Sequence, residues 1–267
     1  MKNIALGRYV PYNTFIHRLD PRIKLFMLVL LTVGVFMPIG INGFIFLSIF
    51  TLLMMICAKV RIKTFFKSLK AMWFMLLLLF VFNVIFIRSG EVLLTIGNYP
   101  IYKEAIFQSL YIFFRLALML AFTMILTSTT KPLDITYGLE FYLSPLKVIR
   151  FPAHEIAMII SIALRFIPTL LGETNRLINA QASRGVDYEN GSLKEKIGAI
   201  ISLIIPLFIS SFQRSDELAS AMVVRGYNPE GKRTRYKVYK LKWSDCVSFV
   251  LVILVFVVAI NVKRVSL

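Results

Sequence analysis

Two arginine–glycine pairs are the residues best suited to specific contacts with another molecule. Each pair follows a long stretch of helical periodicity, and an alanine lies four residues before each arginine. A guanidinium at a helix tip can form a bidentate pair with a carboxylate of another protein. We therefore predict two contact sites for an acidic partner surface. Their residues are Ser183, Arg184, Gly185, Val224, Arg225 and Gly226.

An arginine–glycine ending also has an ordinary structural explanation. Glycine is the usual residue just past a helix end, because it adopts a positive φ easily. Arginine in the last helical turn is favoured by the helix dipole. A single ending of this kind would carry no functional information. Two such endings on matching helices are more informative and favour a shared role.

The charged residues of the two stretches are arranged in opposite order. Eleven residues before the arginine, the first stretch carries Glu173 and the second carries Arg214. Eight residues before it, they carry Arg176 and Glu217. This reversal predicts two helices that cross, with Glu173 near Arg214 or Arg176 near Glu217. The alternative is that each charge pairs within its own helix.

Two long helices, at about 153–184 and 193–225, would position these residues. Each would have about 32 residues and be roughly 48 Å long. Each uninterrupted apolar portion is shorter than the roughly 20 residues that span a bilayer. We therefore favour helices covered by protein or at the interface, with two further membrane spans as the alternative. The second helix has an apolar stripe that needs a cover: Ile197, Ile200, Ile201, Ile204, Phe208 and Phe212.

The composition is that of an integral membrane protein. Of the 267 residues, 58% are hydrophobic, and the mean hydropathy is +0.75. Soluble domains are nearer 45–50% apolar. The net charge of +17 is explained by the lysine and arginine that cytoplasmic loops of membrane proteins collect. A nucleic acid partner is therefore not expected.

Residues for catalysis or metal binding are scarce. The chain has two histidines and two cysteines, and their positions have no metal-ligand spacing. The phosphate-binding pattern GxxxxGK[ST] does not occur in the sequence. We expect no metal, no cofactor and no enzymatic activity, so that any ATP would be handled by a partner.

Apolar runs and loop charges predict the membrane topology. Spans are expected at about 25–37, 44–58, 71–87, 105–126 and 247–262, and a short hairpin within 88–104. Residues 59–70 carry five positive charges and no acid, which favours the cytoplasmic side and a cytoplasmic N-terminus. Arg115 lies inside the fourth span and should face protein, water or another chain. The predicted domains are 1–126, 127–242 and 243–267, the second with a short helix near 132–143.

The sequence resembles a known family over nearly its whole length. The segments Gly7–Pro11 and His17–Arg22 are similar to the entry segment of the transmembrane T component of energy-coupling factor (ECF) transporters. The segments 181–185 and 224–227 resemble its two Ala-Arg-Gly motifs, and the basic run 231–236 also fits. Ser183 and Val224 replace the alanine of the motif, while both arginines and both glycines remain.

The resemblance implies a specific architecture and role. For this chain we predict an all-α integral membrane protein with about five transmembrane helices plus a cytoplasm-facing domain of two long crossed amphipathic helices and a shorter one. A T component is a non-catalytic subunit of the bacterial cell membrane. It links two cytosolic ABC-type ATPase subunits to a substrate-binding S component that imports vitamins or other micronutrients. By resemblance, Arg184 and Arg225 would contact the ATPases, and the stripe from Ile197 to Phe212 would face the S component.

Two other classes of function remain open from the residues alone. One is a stand-alone secondary transporter or channel, and the other is a membrane-embedded enzyme. The chain has only 14 acidic residues, which gives little support to an enzyme. Adjacent ATPase genes would favour a coupling subunit over both alternatives.

Overall fold

The computed structural model describes residues 9–37, 39–96, 99–149, 151–186, 188, 192–228, 231 and 239–265. Nearly all of these residues are helical. The helices are α1 Phe15–Arg18, α2 Pro21–Phe36, α3 Gly40–Cys57, α4 Ile62–Ala71, α5 Trp73–Phe86, α6 Lys103–Thr129, α7 Pro132–Leu143, a 3-10 helix Ser144–Ile149, α8 Ala153–Ser183, α9 Leu193–Val224 and α10 Trp243–Val265. The strands are β1 Val92–Ile96 and β2 Tyr99–Tyr102.

Among the described residues, five helices are long and apolar enough to cross a membrane. They are α3, α6, α8, α9 and α10, and the bent pair α4 and α5 would make a sixth. The prediction of an all-α integral membrane protein is confirmed. The helices that qualify differ from the predicted spans, because α2 has only 16 residues and α5 only 14. Both long helices qualify, because each contains an 18-residue window of high hydropathy with few charges.

The chain divides into two compact units. The first comprises Met1–Ala153 and Tyr239–Leu267, and the second comprises His154–Val238. The first unit therefore contains α1 to α7 and α10, and the second contains α9 and almost all of α8. The predicted block 127–242 is divided between them, since α7 packs against α2 in the first unit. There the Tyr142 hydroxyl donates to the Arg22 carbonyl oxygen at 2.8 Å.

The core of the first unit lies between α2, α3, α6 and α10. Its most buried side chains include Val35 of α2, Leu47 of α3 and Val252 of α10. Helices α3 and α10 approach closely at Gly43, where a Cβ atom would lie 2.8 Å from the Ala259 carbonyl oxygen. Small residues permit such close backbone contact between membrane helices.

Buried polar residues connect the helix ends on one side of the first unit. Asp245 accepts hydrogen bonds from the Asp20 amide at 2.9 Å and from the Lys242 amide at 2.8 Å. The Lys24 ammonium donates to the Thr129 carbonyl oxygen at the end of α6, at 3.0 Å. A helix leaves its last carbonyl groups without intrahelical partners. The Lys24 contact satisfies such a group, whereas Asp245 satisfies two backbone amides. Together these contacts tie α2 to α6 and α10.

Arg115 faces protein, as expected for a cation within an apolar helix. Its Nε donates to the Val35 carbonyl oxygen at 3.1 Å, close to the end of α2. Its Nη2 donates to the Tyr111 hydroxyl at 3.0 Å. The guanidinium also lies over the Phe36 ring, 5.3 Å from the centroid. These contacts give Arg115 a structural role at the α2–α6 contact.

The predicted hairpin is present between α5 and α6. Strands β1 and β2 pair antiparallel, with Val92 opposite Tyr102 and Ile96 opposite Tyr99. The predicted turn residues Gly97 and Asn98 lie outside the described residues.

Candidate functional site

The C-terminal end of α8 has the hydrogen bonds of a Schellman motif. The Gly185 amide donates to the Ala182 carbonyl oxygen at 3.0 Å, and the Val186 amide donates to that of Gln181 at 3.1 Å. Gly185 has a φ of 86°, which its lack of a Cβ permits. Arg184 is thereby fixed as the last residue before the chain turns away.

The C-terminal end of α9 has the same geometry. The Gly226 amide donates to the Val223 carbonyl oxygen at 2.9 Å, and the Tyr227 amide donates to that of Met222, also at 2.9 Å. Gly226 has a φ of 75°. Arg225 therefore occupies the same capping position on α9 as Arg184 does on α8, which makes the two endings equivalent in backbone structure.

All six residues of the two endings are exposed. Val224, although apolar, has 88% of its surface accessible. Arg184 and Arg225 form no ion pair with another described residue. Two guanidinium groups are thus presented on rigid, matching helix ends, a form suited to bidentate recognition of carboxylates.

Helices α8 and α9 are joined by one of the two predicted charge pairs. The Arg214 Nη2 atom donates to the Glu173 Oε2 atom at 2.9 Å. The other oxygen of Glu173, Oε1, accepts from the Ser210 hydroxyl at 2.5 Å. Both charged side chains are roughly three-quarters buried. The carboxylate is therefore held by two partners on α9 in a partly desolvated setting.

The contacts also give the relative direction of the two helices. Glu173 contacts Ser210 and Arg214, whereas Gln181, further along α8, donates to the carbonyl oxygen of Ser202, earlier on α9. The helices therefore run antiparallel where they meet. Each terminal arginine is eleven residues, or about 16 Å, beyond the Glu173–Arg214 pair. The two tips consequently point in opposite directions along the helices.

The second predicted charge pair does not form within the described part of the chain. Arg176 and Glu217 are both exposed, and no ion pair joins them. Each lies three residues beyond Glu173 or Arg214 on its own helix, and because the helices are antiparallel these steps lead away from each other along the contact. The reversed charge order predicts that at least one of the two pairs approaches, and the Glu173–Arg214 pair does so.

The N-terminal end of α9 carries a capping box. The Ser192 hydroxyl accepts from the Glu195 amide at 3.4 Å, and the Glu195 carboxylate accepts from the Ser192 amide at 2.9 Å. These bonds satisfy two amides that have no intrahelical partner. Both long helices continue through their internal prolines, Pro168 and Pro206.

The apolar stripe predicted on α9 is exposed. The exposed fraction of its six residues ranges from 48% at Ile201 to 61% at Phe208. The rings of Phe208 and Phe212 contact each other edge to face, with centroids 4.6 Å apart. Large exposed apolar surfaces mark contacts with another protein or with lipid. The stripe is Ile197, Ile200, Ile201, Ile204, Phe208 and Phe212.

Sequence reasoning missed three residues that hold the two helices together. Ser210 donates to Glu173 and Gln181 donates to the Ser202 carbonyl oxygen, so both form hydrogen bonds between α8 and α9. The third residue is Phe166, whose ring lies under the Arg214 guanidinium, 5.8 Å from the ring centroid. Ser210 is four residues before Arg214 and so shares its helix face. That spacing could have identified it as a second partner of Glu173.

No metal-binding cluster occurs in the described segments. Within them, no group of three or more histidine, cysteine, aspartate or glutamate side chains could hold a metal ion. The contacts available at the two endings are those of guanidinium groups and backbone.

Comparison with known proteins gives full-length relatives. Residues 12–236 match the family model described as a cobalt transport protein. The chain is 38% identical to the energy-coupling factor transporter transmembrane protein EcfT of Lactococcus lactis, over 100% of both chains. It is 37% identical to the EcfT protein of Bacillus subtilis, over 97% of both chains. The EcfT protein of Streptococcus equi is 39% identical, over 95% of this chain and 94% of its own.

Proposed function

Because the chain belongs to the family of energy-coupling factor transporter transmembrane proteins, the T components, we propose that it is the coupling subunit of an ATP-driven importer. In this role it links two cytosolic ABC-type ATPase subunits to a substrate-binding S component in the bacterial cell membrane. The imported substrates are vitamins or other micronutrients. The subunit itself is non-catalytic, and ATP hydrolysis takes place in the ATPases.

The observation that carries the proposal is the pair of identical helix endings. Arg184 and Arg225 occupy the same capping position, are exposed, and lack an ion-pair partner among the described residues. A pair of equivalent contact sites suits a partner that is itself a pair of related subunits. Each guanidinium would bind carboxylates in a groove of one ATPase. Ser183, Gly185, Val224 and Gly226 would line the same contacts.

The Glu173–Arg214 pair gives the two helices a fixed crossing. ATP binding closes an ATPase dimer and changes the separation of the two docking grooves. Helices that are joined near Glu173 and Arg214 would transmit that displacement along their lengths. A loosely joined pair would absorb the displacement instead. The pair therefore supports a mechanical role for α8 and α9.

The exposed stripe of α9 supports contact with the S component. Its residues from Ile197 to Phe212 are apolar and remain uncovered by the described chain. The S component is a membrane protein, so an apolar surface is the appropriate contact for it. In this arrangement one region of α9 contacts the S component and the Arg225 tip contacts an ATPase.

In the proposed orientation α8 and α9 lie along the cytoplasmic side and do not span the bilayer. Both arginine tips, although they point in opposite directions, are then in the cytoplasm together with the N-terminus. The basic segment 59–70 supports this orientation through the positive-inside rule. ATPases are cytosolic, so the opposite orientation would prevent docking.

Co-purification from native membranes tests the proposed function. The tagged full-length chain is extracted in mild detergent and its bound proteins are identified by mass spectrometry. We expect two ABC-type ATPase subunits and at least one small substrate-binding membrane protein. Recovery of the chain without any ATPase, under conditions that preserve a known ABC transporter, would contradict the proposal.

A further inference from the structure

A basic cavity lies in the first unit, far in sequence from the two long helices. Its volume is about 550 Å³, and it is formed by the N-terminal segment, the α3–α4 turn, α4 and the last turns of α6. No carboxylate lines it. Its tyrosine, histidine and basic side chains are Tyr9, Tyr12, His17, Lys59, Arg61 and Lys67.

The three cations of this cavity have no acidic partner. Lys59, Arg61 and Lys67 are exposed, and none forms an ion pair with a carboxylate of the described residues. Like charges held close together repel each other, which costs free energy unless an anion neutralises them. The lining therefore has the chemistry of an anion-binding site.

Lys59 has a backbone conformation that glycine would adopt with less strain. It follows α3 in a Schellman motif, in which its amide donates to the Ile56 carbonyl oxygen and the Val60 amide donates to that of Met55. Its φ is 52°, and among the described residues it is the only non-glycine residue with a positive φ. The equivalent positions of α8 and α9 are glycines. The cap requires a positive φ but does not require lysine, so a strained lysine in place of glycine motivates a functional role for its side chain.

In a bilayer spanned by α3, the cavity would lie at the level of the lipid headgroups. Helix α3 has 18 residues and is about 27 Å long, close to the roughly 30 Å thickness of the hydrocarbon core. The cavity begins directly beyond it, at Ala58 and Lys59. Tyrosine is enriched at this interface, as with Tyr9 and Tyr12.

Helix α4 has the form of an interfacial helix beside the cavity. Lys63, Lys67 and Lys70 are three or four residues apart and share one face. Exposed Ile62 and Phe66 lie on another face. The helix is bent by 55° from α5. Amphipathic helices with lysine on the polar face lie in the headgroup layer and are attracted to anionic lipids.

We propose that this cavity binds the headgroup of an anionic phospholipid. Lys59, Arg61 and Lys67 pair with the phosphate oxygens, and the hydroxyl groups of Tyr9 and Tyr12 donate hydrogen bonds to the headgroup. Apolar residues of the lining, Val60 and Met124 among them, contact the first part of the acyl chains. This mixture of apolar and basic residues at the membrane boundary favours a lipid over free phosphate.

Native mass spectrometry of the full-length chain tests the proposal. The protein in neutral detergent is titrated with phosphatidylglycerol, phosphatidylcholine or inorganic phosphate, and the bound fraction is measured. We expect selective binding of phosphatidylglycerol. Each of Lys59→Gly, Arg61→Gln and Lys67→Gln should weaken it about fivefold, because one cation near a lipid surface contributes about 1 kcal/mol.

Two controls distinguish binding at the cavity from nonspecific attraction to positive charge and from unfolding of the variants. Arg88→Gln removes an exposed charge of the same unit, beyond α5, that does not line the cavity, and should leave binding within about twofold of the wild type. Lys59→Gly removes backbone strain, so its thermal midpoint should not fall, and weakened binding cannot be attributed to unfolding. Equal losses in Arg88→Gln and Lys67→Gln, equal binding of the two lipids, or equally strong binding of inorganic phosphate would overturn the proposal.

Discussion

Arg214 of α9 donates to Glu173 of α8 at 2.9 Å, and each of these two residues lies eleven positions before a terminal arginine of its own helix. The contact therefore divides both helices at equivalent points. The part of each helix beyond the contact is about 16 Å long and ends in Arg184 or Arg225. A contact at equivalent points of the two helices is the geometric basis of the proposed coupling role.

Breaking the Glu173–Arg214 pair should destabilise the crossing. Glu173→Gln removes the charge but keeps the shape, and should cost about 1–2 kcal/mol because the pair is largely buried and Ser210 shares the carboxylate. Arg176→Gln, at an exposed position one turn away, should change stability by less than about 0.5 kcal/mol. Chemical unfolding of the purified protein measures both. Equal effects of the two substitutions would show that the crossing does not depend on this pair.

Replacing a glycine with alanine should lower the free energy of unfolding at the two helix ends and raise it inside the helices. Nothing lies within 4 Å of a Cβ added at Gly185, Gly226, Gly172 or Gly198, so only the backbone conformation differs among them. Gly185→Ala and Gly226→Ala should each cost about 1 kcal/mol, because alanine disfavours a positive φ. Gly172→Ala and Gly198→Ala should each stabilise by about 0.5–1 kcal/mol. Denaturant midpoints measure the four effects, and a common sign would contradict the capping geometry.

The sequence was sufficient to predict features that depend on local chemistry or on internal repetition. Gly185 and Gly226 end their helices because the Schellman geometry needs a positive φ, which is a local requirement. Glu173 and Arg214 could be matched because the two helices carry related patterns with their charges reversed. The hairpin near Pro100 followed from its turn residues.

Features set by contacts distant in the chain could not be predicted. The bond between Asp20 and Asp245 joins residues at opposite ends of the sequence, and no local pattern indicates it. The positive φ of Lys59 could not be predicted, because the residue that closes a helix in this way is usually glycine and not lysine. The packing of α7 on α2 was missed because periodicity gives the face of a helix but not its neighbour.

Arg115 should stabilise the contact between α2 and α6. Arg115→Met retains apolar volume but leaves the Val35 carbonyl oxygen and the Tyr111 hydroxyl without this donor. The expected cost is about 1–3 kcal/mol. Arg165→Met, at an exposed position on α8, serves as the control and should cost less than about 0.5 kcal/mol. Thermal unfolding in detergent compares the two variants, and an unchanged midpoint in Arg115→Met would rule out the structural role.

Stability should depend on pH through His17, near the N-terminal end of the described chain. Burial lowers the pKa of this imidazole from its usual 6.5, Lys24 lowers it further, and the backbone hydrogen bond with Val10 opposes the shift. Because the folded-state pKa is depressed, the neutral form is favoured by folding. Its contribution is present above pH 6.5 and is lost as the pH falls through the folded-state pKa.

Thermal midpoints at pH values of about 7.5 and 5.5 test this dependence. The wild type should lose stability at the lower pH, and His17→Gln should lose less. His154→Gln changes the only other histidine and should retain the wild-type dependence. If His17→Gln and the wild type respond alike, His17 is not the titrating group.

The most direct test of the coupling account is a detergent pull-down of the ATPase subunits by the full-length chain. The double variant Arg184→Glu with Arg225→Glu reverses the charge at both tips without changing the glycine caps, whereas Arg176→Glu reverses an exposed charge on α8 away from the tips. The account predicts that the double variant loses the ATPases and that Arg176→Glu retains them. An intact complex in the double variant, with ATP hydrolysis still coupled to uptake, would contradict it.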